Sequence, residues 1–470
     1  MNARISFLLL IAMLSCLVRA DPMPQREDVR ITIHPAAPGE PALRNALLPE
    51  AADQQPGNAA TVYLMAFEDA GRVTADPSFD FLQGATAAEL DEAKAEALLN
   101  AHRTMLEPLA VAAHRSGCDW APPTRERGLR AVLPYLNAAR AAGDLLSIKA
   151  KLAIKRRNYP EAIDALRDGF ALADHLEREP LLIQALVAVS IRTQLLADVR
   201  ELVQQPGAPN LYWPLVNLPP AGRDRIRIVQ TEKASLFLTY PSLRHVEQLS
   251  AAESRRVFDE LQSLVAGSRA DRWAELLLGM VRNYPKAKEF LVAEGRSRDD
   301  VEAMPADTAV LAYYVGQYVE QFDGINKRAG LPLWQASAQI AQPTAAPDGP
   351  RTPDRLHSYG SAQREDPRTY NPLLAILPGY RGAFAHFAGV ERDRAMLQVV
   401  EGIRAYAAAH NGAMPPSLDA LSPDTPAPVD PMLNRPFEYH AEGQTTTLTA
   451  PAPAGEPPQS AKTYHITLAH

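Results

Sequence analysis

The stretch "HRSGCDWA" (114–121) sets His114 ahead of Cys118, the pair in this chain most able to do nucleophilic chemistry. If a helix ran on through Gly117, the two side chains would share a face at i, i+4 spacing. A reactive thiol needs a neighbouring cation or a helix N-terminus to lower its pKa. Cys118 is expected at a helix C-terminus instead, where the dipole disfavours a thiolate. The other cysteine, Cys16, lies in the leader, so the mature chain has no disulfide and no resolving thiol. Two ligands are too few for a metal site unless distant residues join them. Cys118 and Trp120 therefore read as an apolar corner packed under a turn.

Other groups invite the same weighing. Lys149, Lys151, Lys155, Arg156 and Arg157 form a basic run before a turn. Helix C-termini favour cations, so a solvated face is expected, with an anionic polymer or lipid headgroup as the alternative. Asp119 and Trp120 could mark a recognition surface, and Leu211-Tyr212-Trp213-Pro214 a ligand cluster; a helix-connecting corner and core packing are the plainer readings. The chain has no H-E-x-x-H, G-x-S-x-G, Walker loop, G-x-G-x-x-G or C-x-x-C. No catalytic, cofactor-binding or metal-ligating residue is assigned, and no cofactor is implied.

The elements that must position these residues follow from periodicity. Residues 1–20 read as a Sec signal peptide: Arg4, an apolar run from Ile5 to Val18, then Val18-Arg19-Ala20 before cleavage at Asp21. Cys16 permits a rival lipoprotein reading, although Leu14 makes a poor lipobox. No later run approaches eighteen apolar residues, so no transmembrane anchor is expected in the mature chain. The 48 basic and 55 acidic residues argue against a nucleic-acid partner.

Residues 21–57 are expected to be a loosely ordered lead-in with one strand at 29–33. Residues 58–342 read as an all-helical domain. Thr86 and Glu89 form a capping box ahead of a stripe running from Leu90 to Met105, ended or kinked by Pro108. Further helices are expected at 124–157, 160–177, 180–204, 221–237, 250–266, 268–282 and 306–328. Residues 343–372 carry six prolines and few large apolar residues, which marks a linker or surface loop. Residues 373–470 read as a long helix, stopped at Asn411-Gly412, followed by a small antiparallel sheet of three short strands.

Two of these regions resemble known families. In 145–176, Ala162, Leu166 and Gly169 stand where a tetratricopeptide repeat places its small–large–small packing positions, and a second "NYP" at 283–285 follows at no regular period. The residues "IRAYAAAHNGAMPPSLDAL" and "VDPMLNRPFEYH" resemble type II secretion pseudopilins. Here the module stands at the C-terminal end, and its helix carries Arg381, Glu391, Arg392, Asp393 and Arg394, so only the fold is implied. Taken whole, "CDW" (118–120), "NLYW" (210–213), "VEAMP" (301–305) and "LPLWQA" (331–336) resemble exported bacterial proteins of unknown function of the planctomycete type, which implies no activity.

The fold class expected is mainly α: an irregular helical-pair domain, then a small α+β module. The function expected is an exported, non-catalytic binding or scaffold protein of the cell envelope, periplasmic or secreted, whose partner is another envelope or secreted protein. The alternatives are an envelope hydrolase with a dispersed acid/base site and an accessory of a secretion or pilus-like machine.

Overall fold

The computed structural model describes residues 27–262, 269–340 and 371–469, apart from 455 and 457. The signal peptide and nearly all of the proline-rich segment 343–372 lie outside the described residues. From Glu27 the lead-in is built into the fold rather than loosely ordered. It carries β1 (Glu27–Ile33) and later β2 (Gln55–Asn58), after which Asn58 caps α1 (Ala59–Ala66) by accepting from the Ala60 amide.

The capping box forms, with the Thr86 and Glu89 side chains exchanging bonds with each other's amides, but it closes a turn, not a helix. The stripe it was expected to open is broken. Asp91 caps α2 (Glu92–Ala101), the chain bends at His102, and α3 (Arg103–Ala113) continues straight through Pro108. The next expected helix, 124–157, is also interrupted. Gly128 adopts φ +51, and a Cβ there would lie 2.3 Å from Thr239 Oγ1, so the chain must turn before Pro134 opens α4 (Tyr135–Lys155). Between these parts, β3 (Arg115–Gly117) pairs in parallel with β2.

The body is mainly helical and is organised on α4, α5 (Tyr159–Leu176) and α6 (Leu182–Leu202). Small residues set how closely they pack. A Cβ on Gly143 would lie 3.0 Å from Ile191, and one on Gly169 2.7 Å from Leu195. Leu145, Leu146, Leu166 and Leu195 are fully buried at these crossings, each contributing about 1.5–3 kcal/mol on burial. Among the described residues α6 is the one helix long and apolar enough to cross a membrane, and it lies mostly inside this body.

After α7 (Tyr212–Val216), α8 (Arg225–Thr239) runs to the 3₁₀ turn Pro241–Gln248. Then follow α9 (Ala251–Gln262), α10 (Arg269–Ala293), α11 (Ala306–Ala329) and α12 (Leu333–Ile340). The helix expected to end near 282 thus continues past Pro285. Asn283, buried one residue past the end of the expected span, donates to the Tyr314 hydroxyl of α11 at 3.0 Å and holds this part of α10 in place.

The helix expected from about 373 starts later, as α13 (Tyr380–Ala409). It is buried on nearly every side, and the left-handed Asn411 and Gly412 stop it, with the Gly412 amide returning to the Ala407 carbonyl at 2.8 Å. Three strands follow: β4 (Glu438–Glu442), β5 (Thr445–Ala450) and β6 (Lys462–Leu468). The sheet is mixed, because β1 joins it in the order β1-β6-β5-β4, parallel to β6, with Val29 beside Tyr464 and Ile33 beside Leu468. Ile31, Ile33, Leu448, Tyr464, Ile466 and Leu468 form its buried face.

Charges inside α13 lock these parts together. Glu401 and Arg404 pair at 2.8 Å with neither side chain exposed. Arg404 also donates to the carbonyls of His34, Ala208 and Pro209, while Glu401 accepts from the Leu211 amide at 3.0 Å. Arg392 pairs with Asp430 at 2.7 Å, and Asp393 with Lys462 at 2.7 Å. One helix therefore holds the lead-in, the 208–211 loop and the sheet.

Candidate functional site

The residues that could have done nucleophilic chemistry do not converge. α3 ends at Ala113, His114 caps it and Arg115–Gly117 are strand, so His114 and Cys118 never share a helical face. The His114 carbonyl accepts from the Gln55 amide at 2.7 Å, which pulls the chain out of the helix. Burial pushes the Cys118 thiol up to about 12, so it stays protonated at neutral pH. Trp120 is buried and stacks on Tyr135, Tyr63 and Phe67 at centroid distances of 4.8, 5.6 and 6.2 Å, its indole donating to the His175 carbonyl at 2.9 Å. Asp119 closes the corner, its carbonyl and amide both bonded to the Asn58 side chain. The stretch is a packed corner.

His114 does line a polar pocket of about 120 Å³, with Arg44, Glu50, Asp53 and Arg167 around it.

The basic run is not the solvated face its composition suggested. Lys151 is buried, donates to the Gln83 carbonyl at 3.0 Å and lies 3.9 Å from Asp198. Lys155 donates to the Ala88 and Leu90 carbonyls, and Arg156 pairs with Glu92 and Glu96 at 3.2 and 2.7 Å. These cations reach across from the end of α4 and clamp the 83–96 region on it. The Leu211–Pro214 cluster is interior as well: Leu211 is fully buried and the Tyr212 hydroxyl donates to the Pro426 carbonyl at 2.5 Å.

Ionisable groups that sequence reasoning did not single out gather under α5 and α6. Asp174 pairs with Arg223 at 2.8 Å and Arg178 at 3.3 Å, and Glu177 with Arg192 at 3.2 Å. Next to them the Tyr63 hydroxyl meets His175 Nδ1 at 3.0 Å, and burial pushes the imidazole down to about 4. Deeper still, burial lifts Asp198 to about 7 and Asp144 to about 6. These groups line neither cavity described in this section. Among the described residues no group of three or more His, Cys, Asp or Glu converges as a metal site.

The larger cavity is a groove of about 740 Å³ on the other side of the body. α8 supplies Phe237 and the 3₁₀ turn supplies Leu243 and Val246. α10 supplies Phe290 and Leu291. α11 supplies Ala312, Val315, Gly316 and Val319, one stripe at helical spacing. Gly316 fixes the shape, since a Cβ there would fall 2.3 Å from the Phe290 ring. Its absence lets that ring lie directly against α11.

Charged side chains stand around this apolar floor. Lys233 is bound to Asp323 at 2.6 Å, and Arg296 is paired with Glu247. Arg244 and Glu294 are exposed and make no ion pair among the described residues. The arrangement offers an apolar bed with polar groups confined to its rim, the pattern of a binding site and not of a proton-transfer site. No motif announces it in the sequence; the small Gly316 within an apolar helix stripe is the nearest signal.

No family model, no curated protein and no solved structure matches this chain.

Proposed function

We propose that this protein is an exported, non-catalytic binding protein of the cell envelope that takes its ligand in the groove between α8, α10 and α11. The groove itself carries the reading. It is several times larger than the His114 pocket, its floor is apolar, and the ionisable side chains with strongly shifted pKa values lie elsewhere, buried in ion pairs or without access. The His114 pocket, at about 120 Å³ and lined by charged side chains, offers a substrate far less space than the groove does.

Finer readings of the scaffold have support. Ala162, Leu166 and Gly169 sit at the packed positions of the α4–α5–α6 hairpins, which favours a tetratricopeptide-like pair. The order of long helix, Asp-Pro turn and antiparallel strands favours a pseudopilin-like module. In it the buried pairs of Arg392 and Arg404 take the place of the exposed apolar helix that a filament subunit needs. Export rests on the leader and on the resemblance to exported proteins of unknown function.

The test is site-specific photo-crosslinking in intact cells, followed by envelope fractionation. A benzophenone side chain at Val319 or Phe237 should give an adduct of fixed mass in the envelope fraction, and one at exposed Arg125 should not. A groove that yields no adduct at either position would refute the reading.

A further inference from the structure

We infer that the groove holds the hydrocarbon tail of a single-chain amphiphile, with Arg244 gripping an anionic head group at its mouth. This rests on the binding reading above and names the ligand class for the same site.

The walls decide the body of the ligand. They are helical, so their main-chain groups are spent on internal hydrogen bonds, and an extended peptide would find no strand edge to join. The side chains that α10 and α11 contribute between their ends, Phe290, Leu291, Ala312, Val315 and Val319, are all apolar; Gln230, Lys233, Arg244, Glu247, Glu294 and Arg296 supply the polar part of the lining. A sugar, nucleotide or peptide bound there would lose its water and regain few hydrogen bonds, at about 1–3 kcal/mol per unpaired group. A hydrocarbon chain has no such groups to leave unpaired.

The shape agrees. Ala312, Val315, Gly316 and Val319 form a narrow stripe about two turns long, roughly 10 Å by helical rise. Phe237 and Phe290, both half-buried, flank it. The result is a trench, suited to a linear chain, within the usual volume range of small-molecule sites.

The rim decides the head. Lys233 and Arg296 are already neutralised by Asp323 and Glu247. Arg244 is the rim cation left without a carboxylate among the described residues, and it follows directly on Leu243 of the floor. A guanidinium so placed binds carboxylate or phosphate through paired N–H donors. Glu294 carries the opposite sign on the α10 side and opposes an anion there.

Such a head could belong to a free fatty acid or to a lysophospholipid; both present an acyl chain and one anion. The experiment is calorimetric titration of the mature full-length protein with dodecanoate, with lauroyl lysophosphatidylglycerol and with neutral monolaurin, all below their micelle concentrations. One anion should bind at one equivalent per chain, and which one does identifies the source. Arg244→Gln should weaken that anion about tenfold, the value of one charged contact. It should leave monolaurin unchanged, and Glu294→Gln should tighten the anion. Val319→Arg should abolish binding of every probe while the far-ultraviolet spectrum and melting profile stay those of the parent. Equal loss of anion and monolaurin in Arg244→Gln would overturn the head-group assignment. If neither anion binds although the groove crosslinks in cells, this inference fails and the binding reading stands; if the groove also fails to crosslink, both fall.

Discussion

α13 and the groove around α11 are both built from a long helix with charges near apolar side chains, yet they treat those charges in opposite ways. In α13 Arg392, Glu401 and Arg404 are enclosed and multiply bonded: Arg404 has two bonds to Glu401 and three to carbonyls of other segments. Around the groove the ion pairs stand at the rim, half in water, and two charges have no ion-pair partner among the described residues. A buried, fully bonded charge fixes register, because any shift leaves it unpaired in a poor solvent. A rim charge fixes little and remains available to a ligand. The difference separates the part of the molecule that holds shape from the part that can recognise something.

The sharpest way to break the comparison is to truncate one charge of each kind. Arg404→Ala strands Glu401 in the interior and frees three carbonyls, and should cost about 3–5 kcal/mol in denaturant unfolding. Arg244→Ala should cost less than about 0.5 kcal/mol in the same assay, as surface changes do. Equal costs would mean that the two sets of charges do the same job.

Next in size is a pH effect that reports on the interior alone. Asp198 titrates near 7 in the folded protein, chiefly because burial penalises its charge, against about 3.9 in an unfolded chain. Neither of its oxygens accepts a hydrogen bond among the described residues, and Lys151 stands off at 3.9 Å. The folded state thus keeps a proton that the unfolded chain releases. The stability this confers is complete below about pH 4 and is lost as pH rises through about 7. Asp144 and Asp168, each near 6, act with the same sign. His175, depressed to about 4, acts oppositely: its contribution is present above its ordinary 6.5 and is lost as pH falls through 4. Asp198→Asn should therefore gain about 1–3 kcal/mol at pH 8 and nothing measurable at pH 4. A gain that is the same at both values would show that packing, not ionisation, is responsible. Binding in the groove should not follow this profile.

How much of this was legible beforehand depends on the range of the interactions. α5, α6 and α11 fall within two residues of their expected bounds because each carries a long apolar stripe and clear stop signals. The chain break before Pro134 was missed, since it is imposed by a distant partner: Gly128 turns against Thr239 of α8. The parallel pairing of β1 with β6 joins opposite ends of the chain and leaves no local trace beyond the alternation at 29–33. The groove was invisible for the same reason: four separate segments supply it, none with a motif. The CDW corner, by contrast, was legible, because an isolated cysteine beside a tryptophan has few uses other than packing.

A smaller change, about 1 kcal/mol, marks the point where local sequence and fold disagree. Residues 155–158 end α4 in a Schellman turn: the Asn158 amide bonds to the Ala153 carbonyl at 2.9 Å and the Arg157 amide to the Ile154 carbonyl at 2.9 Å. That geometry puts Arg157 at φ +57, where a Cβ crowds the next carbonyl and glycine is at ease. The arginine makes no ion pair there among the described residues, unlike its neighbour Arg156. Arg157→Gly should raise the unfolding midpoint, relief of the left-handed strain outweighing the greater freedom glycine gives the unfolded chain. It should leave ligand binding unchanged, because the turn is on the α4–α5 side of the body, remote in sequence and in packing from the groove. If the variant instead loses stability, the exposed arginine is doing something at that corner that its backbone strain conceals, and the basic run would again become a candidate for recognising an anion.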